Sequence, residues 1–202
     1  MSILTIVQAV CKNVGLDVPD TAVSNTDREY VELLQFTREA ADEIGRRADW
    51  GALRKTATIT GTGSNDNFAL PADFGRLTSG NAVKSSTGNV RGGISQDEWF
   101  SLTPIQGVPR YFRSNGASIS FYPYPANAAA ITVSYQSSAW ASNGSADWSS
   151  DSDMPLVPSD LVMKGTLWRW KRKIGQDFSD YLAEFEAAFA DLSNFDSRDR
   201  TP

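Results

Sequence analysis

Residues 48–60 read Ala48-Asp49-Trp50-Gly51-Ala52-Leu53-Arg54-Lys55-Thr56-Ala57-Thr58-Ile59-Thr60, and the hydrophobic period changes within them. Before Trp50 the apolar positions recur at steps of three and four. Tyr30, Leu33, Leu34, Thr37, Ala41 and Ile44 share one face. Glu32, Arg38, Glu39, Asp42, Glu43 and Arg46 share the other, so this segment is an amphipathic helix packed on one side. It opens on a capping-box pattern, Thr26 with Glu29, and ends near Trp50. From Lys55 to Thr60 the pattern alternates, which predicts a strand. The chain therefore passes here from helical to β structure.

Working outward, a first helix is expected from Ser2 to about Asn13. Ser2 is its N-cap, Gly15 follows its last turn, and Ile3, Ile6, Val7, Val10 and Val14 form its apolar face. On the other side, residues 55–140 are rich in Thr, Val, Tyr, Phe and Gly. Gly61-Thr62-Gly63-Ser64-Asn65-Asp66 reads as a hairpin turn, with Asn67–Leu70 starting the return strand. Arg110–Arg113, Ser118–Tyr122 and Ile131–Tyr135 read as further strands, the first two joined by an Asn115-Gly116 hairpin signal. Ser95 to Glu98 is a second capping-box pattern and predicts a short helical turn carrying Trp99 and Phe100. After Pro158 helices return. The third has Ser159 as N-cap and Leu161, Gly165, Trp168 and Arg172 on one stripe, and it ends or kinks at Gly175. The fourth, from about Asp177, carries Phe178, Tyr181, Leu182, Phe185, Ala188, Phe189, Leu192 and Phe195. The predicted fold class is α+β. A four-helix bundle of two N-terminal and two C-terminal helices (1–54 and 156–195) receives a small antiparallel β-domain. The insert with a Ser/Asp-rich loop spans 55–155, and 196–202 is a polar tail.

Composition narrows the function. The chain has 202 residues, 41% of them hydrophobic, enough for a buried core. Mean hydropathy is −0.33 and no apolar run has the length of a membrane helix. Met1-Ser2-Ile3-Leu4 has no basic region, so a signal peptide is not expected. Net charge is −5, against a general nucleic-acid binder. The single cysteine, Cys11, lies in an apolar helical pattern and reads as a small core residue. There is no histidine, which removes Ser-His-Asp and Cys-His nucleophilic sites, histidine general bases and His-ligated zinc.

Residue patterns with chemical potential are few. Gly61-x-Gly63 lies between two strands and not at a strand-to-helix turn, so it lacks the setting of a phosphate loop. Asp147, Asp151 and Asp153 lack EF-hand spacing and read as a solvated acidic loop. Asp97, Glu98, Glu184 and Glu186 are the nominal carboxylates for histidine-free glycoside hydrolysis. Asp97 and Glu98 occupy a helix first turn, and Glu184 and Glu186 are two apart on a helix, facing different ways. No catalytic residue, cofactor or metal is assigned. The sharpest charge feature is Lys164, Arg169, Lys171, Arg172 and Lys173, interleaved with Trp168 and Trp170. Lys171, Arg172 and Lys173 are candidates for meeting an acidic protein surface. The loop 137–153 holds Trp140 and Trp148 in a solvent-exposed composition, which makes them possible anchors against something else.

The chain also carries an ordered series of family-like elements. Two N-terminal helices lead to Asp49-Trp50-Gly51-Ala52-Leu53 at the first strand. Leu70-Pro71-Ala72-Asp73-Phe74 follows, then Phe121-Tyr122-Pro123-Tyr124-Pro125, then Tyr135 with Trp140. Asp151 to Pro158 leads into Leu161, Trp168-Arg169-Trp170-Lys171 and Gly175, and Tyr181 and Phe185 continue it. This series resembles the head-to-tail adaptor proteins of short-tailed phages and the related adaptors of long-tailed phages and gene transfer agents. The resemblance implies a structural virion protein at the head-tail junction, made in the host bacterial cytoplasm. It implies a dodecameric ring of copies of itself on the portal protein, with a tail tube, nozzle or other tail protein below. Genomic DNA would pass through the lumen without sequence-specific binding, and no membrane is involved. The C-terminal segment from Phe195 to Pro202 is expected to be a portal-docking arm, with Phe195 as apolar anchor, Arg198 and Arg200 pairing with acidic groups and Asp196 in the same interface, and the resemblance points the same way. The competing readings are a tail accessory module that binds a glycan or receptor through Trp140 and Trp148, and a carboxylate-based cell-wall hydrolase.

Overall fold

The structure is a computed structural model and describes residues 1–198. In chain order it begins with α1 (Ile3–Val14) and α2 (Arg28–Arg47), followed by a single 3-10 turn at Gly51–Leu53. Then come β1 (Arg54–Thr60), β2 (Asn67–Ala69), β3 (Phe74–Leu77), β4 (Val83–Ser85) and β5 (Gly88–Asn89). A short α3 (Gln96–Ser101) precedes β6 (Gln106–Gly107), β7 (Tyr111–Asn115), β8 (Ser118–Tyr122), β9 (Tyr124–Pro125) and β10 (Ala130–Ser137). The chain closes with α4 (Ser159–Lys173) and α5 (Ser179–Arg198). It is a mixed α+β protein that divides into two units. One comprises residues 1–53 with 138–202, the other residues 54–137.

In the helical unit, local chemistry sets the ends of the helices. The Ser2 hydroxyl accepts from Thr5 N–H at 3.3 Å, and Gly15 closes α1 in a left-handed conformation. The expected Thr26–Glu29 box does not form. Asp27 is the N-cap of α2, with no side-chain cap bond, and its own N–H donates to Asn25 Oδ1 at 2.9 Å. Ser159 is the first residue of α4 and not its cap. Its hydroxyl accepts from the N-terminal ammonium of Met1 at 3.2 Å. Gly175 ends α4, and α5 starts two residues after Asp177, whose carboxylate accepts from Ser179 N–H at 3.0 Å.

Helix α4 packs against α1, α2 and α5. Its buried residues run almost without a break from Leu161 to Trp170, so the single stripe read from the sequence understates it. A helix buried on most sides belongs at the centre of a core. Close approach is possible because Gly165 stands at the crossing. A Cβ there would lie 2.9 Å from the Ala40 Cβ and 3.3 Å from the Phe185 ring. Phe185 and Phe189 of α5 are buried in the same core, as are Ile3, Ile6, Val7, Val10 and Cys11 of α1. α5 continues through Asp196 to Arg198, where the sequence suggested a tail from Asp196 onward.

The β-rich unit is built on β10. Antiparallel strands β1, β3 and β4 all pair with it, and β5 pairs with β4. Ile131, Val133 and Tyr135 alternate inward along β10, the period of a strand with one buried face. A second sheet orders β2-β8-β7. The β7–β8 hairpin turns at Asn115-Gly116 as its sequence signals. The hairpin expected at residues 61–66 is absent, because β1 pairs with β10 and β2 with β8. Gly61 prolongs the β1–β10 ladder, donating to Ala129 O at 2.8 Å and accepting from Ala128 N–H at 3.0 Å. A Cβ on Gly61 would sit 2.2 Å from Ala126 O, so only glycine fits this approach.

The Leu70-Pro71-Ala72-Asp73-Phe74 element has a physical role in this unit. The Asp73 carboxylate accepts from Lys55 Nζ at 2.6 Å, Tyr135 Oη at 2.9 Å and Ser137 Oγ at 2.8 Å. It thereby ties β1 and β10 to the start of β3. Phe74 lies against the Tyr135 ring at 5.6 Å, and Leu70 joins the buried cluster with Ile59, Val83, Ile119, Phe121, Ile131 and Val133.

Candidate partner interface

The basic residues of α4 fall into two groups. Arg169 is only 5% exposed. Its guanidinium bonds the Glu43 carboxylate, donates to Gly165 O at 2.8 Å and stands 3.6 Å from Glu39. It also lies over the Trp168 ring, 4.3 Å from its centroid. Lys164 bonds Glu184 of α5, which raises the lysine pKa, and Lys173 bonds Glu32 of α2. These three cations are therefore joined to the helical unit's own acids. The sequence placed Lys173 among the cations offered to a partner, whereas here it closes a seam between α4 and α2. Glu32, Glu39 and Glu43 recur at helical spacing on α2, and this acidic face meets α4 and not solvent alone.

Lys171 and Arg172 have no acidic partner among the described residues. Lys171 donates to Gln176 Oε1 at 2.7 Å and lies 5.5 Å from the Tyr181 ring. Exposed Arg172 rests on Trp168 at 4.9 Å. Aromatic support holds both charges in place without neutralising them.

The sequence did not single out Arg47, which links α2 to α5. It bonds Glu186 at 2.8 and 2.5 Å and Glu43 at 3.0 Å, and covers Phe189 at 4.2 Å. The Arg47 contact pulls the Glu186 pKa down. Glu184 and Glu186, nominal hydrolase carboxylates, are thus both engaged by cations. Asp97 and Glu98 belong to the other unit, in the first turn of α3, where the Ser95 hydroxyl accepts from Glu98 N–H at 3.2 Å.

The loop 138–155 groups with the helical unit and not with the β-rich insert. Trp140 and Trp148 are 2% and 3% exposed, so they anchor the loop into the chain's own core. Their rings meet edge-on at 4.7 Å, and Trp148 Nε1 donates to Thr37 Oγ1 at 3.0 Å. The loop's acids cap backbone. Asp151 accepts from Ala22 and Val23 N–H at 2.9 and 2.8 Å, and Asp153 from Ser149 and Ser150 N–H at 2.7 and 3.0 Å. Those bonds hold the Asp153 pKa down; at Asp151 burial pushes the pKa up and the backbone bonds outweigh it. Asp147 sits 2.5 Å from Arg38. Among the described residues no three acidic or cysteine side chains are grouped as metal ligands, and no helix is long and apolar enough to cross a membrane.

At the C-terminus, Asp196 accepts from Gly51 N–H at 2.9 Å, fixing the end of α5 beside the 3-10 turn. The Phe195 and Arg198 side chains and residue Arg200, also read as arm residues, lie outside the described residues.

These features define a protein whose charged seams and aromatic anchors serve packing, with Lys171 and Arg172 resting on aromatic rings. Over residues 1–202 the chain matches the family model described as SU10 adaptor protein. It belongs to that family, the phage head-to-tail adaptors, which are structural proteins of the virion. A search of curated proteins returned no match.

Proposed function

We propose that this adaptor assembles as a dodecameric ring on the portal, presents its other side to a tail protein, and forms part of the DNA conduit. The observation that carries this reading is the family match across the whole chain. The internal geometry supports a rigid ring component. In this reading the four long helices act as one bundle, stapled by Arg47, Lys164, Arg169 and Lys173. Lys171 and Arg172 are the cations offered to a portal or a neighbouring copy, and the C-terminal segment from Phe195 to Pro202 docks on the portal. The β-rich unit carries seven Lys and Arg against four Asp and Glu, while the whole chain has 19 against 24. Opposite signs on the two units favour unlike surfaces meeting between neighbours in a ring.

Electron microscopy of the chain mixed with its portal tests the reading. A twelvefold collar on the portal is the expected result; no association under conditions where the portal itself is assembled overturns it.

A further inference from the structure

Within the β-rich unit, three segments converge on a cleft of about 340 Å³. Buried Phe121, packed against Phe68 at 5.9 Å, is part of its lining. Trp99 and Phe100 from α3, and Tyr122 and Tyr124 from the β8–β9 stretch, form its walls. Asp66 stands at its edge, located by its own carbonyl, which accepts from Phe121 N–H at 2.8 Å. The short helix is held in position. Ser95 caps it, and Arg113 of β7 donates to Gln96 Oε1 at 2.6 Å. The cleft has the size of a small-molecule site and its mostly aromatic lining.

Two observations point to the ligand. Phe100 is 72% exposed beside a half-buried Trp99, a large apolar surface for a folded chain to leave in water. The one ionic group in the lining is Asp66, and among the described residues its carboxylate bonds no side chain. Ring faces carry negative potential, and a carboxylate carries a full negative charge. The electrostatic features of the cleft therefore share one sign. Neutral sugars could stack on the rings and donate hydroxyls to the carboxylate but would leave its charge uncompensated, and anions would meet repulsion throughout.

We propose that this cleft binds an organic cation, an ammonium or guanidinium group, enclosed by Trp99, Phe100, Tyr122 and Tyr124 and neutralised by Asp66. The rings supply cation–π attraction and the carboxylate supplies the charge-assisted partner. The same chemistry is offered by a quaternary ammonium compound and by a basic side chain of another protein.

The test uses the full chain. Tetramethylammonium chloride is titrated against sodium chloride at matched ionic strength while the indole N–H resonance assigned by Trp99→Phe is followed. A saturable shift is expected, weakened about tenfold by Asp66→Asn and unchanged by Asp97→Asn, an exposed acid outside the cleft. Two further titrations, with choline and with N-acetyl-arginine amide, identify the source: tighter choline binding indicates a quaternary ammonium ligand, tighter arginine binding a partner's side chain. Equal binding of choline's uncharged carbon isostere, no saturable shift with either cation, or saturable binding of a neutral disaccharide alone would each overturn the proposal. Asp66→Asn is nearly isosteric and leaves the backbone bond from Phe121 N–H to the residue 66 carbonyl available, so it tests the charge independently of the Trp99 variant.

Discussion

The indole N–H of Trp148 donates to the Thr37 hydroxyl at 3.0 Å, and that hydroxyl in turn donates to Leu34 O at 2.7 Å. A loop tryptophan and a helix threonine 111 residues apart thus share one buried hydrogen-bond chain. Thr37→Val keeps the volume and strands the indole N–H, at a cost of about 1–3 kcal/mol, while Thr37→Ser stays close to the parent. Trp148→Ala should cost about 3–5 kcal/mol. Urea denaturation reads all three; a Thr37→Val midpoint equal to the parent's would show that the bond contributes nothing.

Gly165 is the tightest point of the helical core. Gly165→Val must force Ala40 and Phe185 apart and should destabilise by about 1–3 kcal/mol despite valine's better helix propensity. A rise in melting temperature would contradict the close crossing of α2, α4 and α5.

Asp73 makes stability pH-dependent. Burial pushes its pKa up, but the bonds from Lys55, Ser137 and Tyr135 and the Lys55 charge prevail and hold it at about 2, below its ordinary 3.8. The folded-state value is depressed, so its stabilisation is complete above about pH 4 and drains away as the pH falls toward 2. Tyr135 moves oppositely: burial, then the Asp73 bond, raise its pKa from 10.0 to about 12, and its contribution is lost as pH rises through that interval. Asp73→Asn should lower stability at neutral pH and flatten the acid limb of a denaturation-versus-pH curve. Parallel acid limbs in the variant and the parent would refute this assignment.

The two groups of α4 cations should separate by phenotype. Arg169→Ala removes bonds to Glu43 and Gly165 O together with buried stem, and should cost about 2–3 kcal/mol in chemical denaturation. Replacing Lys171 and Arg172 together by Glu should leave the chain folded, at a cost of about 1–2 kcal/mol for acids in the last turn of α4, while weakening assembly on the portal in sedimentation. Intact assembly would reduce these two residues to ordinary helix-end charges.

Features fixed by neighbouring residues were legible in the sequence. Ser2, Ser95 and the Asn115-Gly116 turn act within a few positions, and each forms as its pattern predicts. Strand pairing was not. Gly61-Thr62-Gly63 has hairpin chemistry, yet the partner of β1 is β10, some seventy positions on, and no local signal encodes it. The polar composition around Trp140 and Trp148 suggested exposure because burial of a loop depends on the core it meets. The charges of α2 and α4 were each visible, but the complementarity of Glu32 with Lys173 and Glu43 with Arg169 exists only once the helices cross.

Arg54, the first residue of β1, is paired with Gln136, one residue before β10 ends. The chain thus leaves the helical unit and re-enters it along two adjacent strands, whose paired Cα atoms stand about 5 Å apart. Once the insert has folded, the β1–β10 pairing holds its two ends together as a tight turn would, so the helices are spared the closure entropy of a long flexible loop, which rises with length. The β-rich unit is in this sense an exchangeable cassette. A change in the insert's length or content that keeps the β1–β10 pairing leaves the spacing of the two chain ends at the helices as it is.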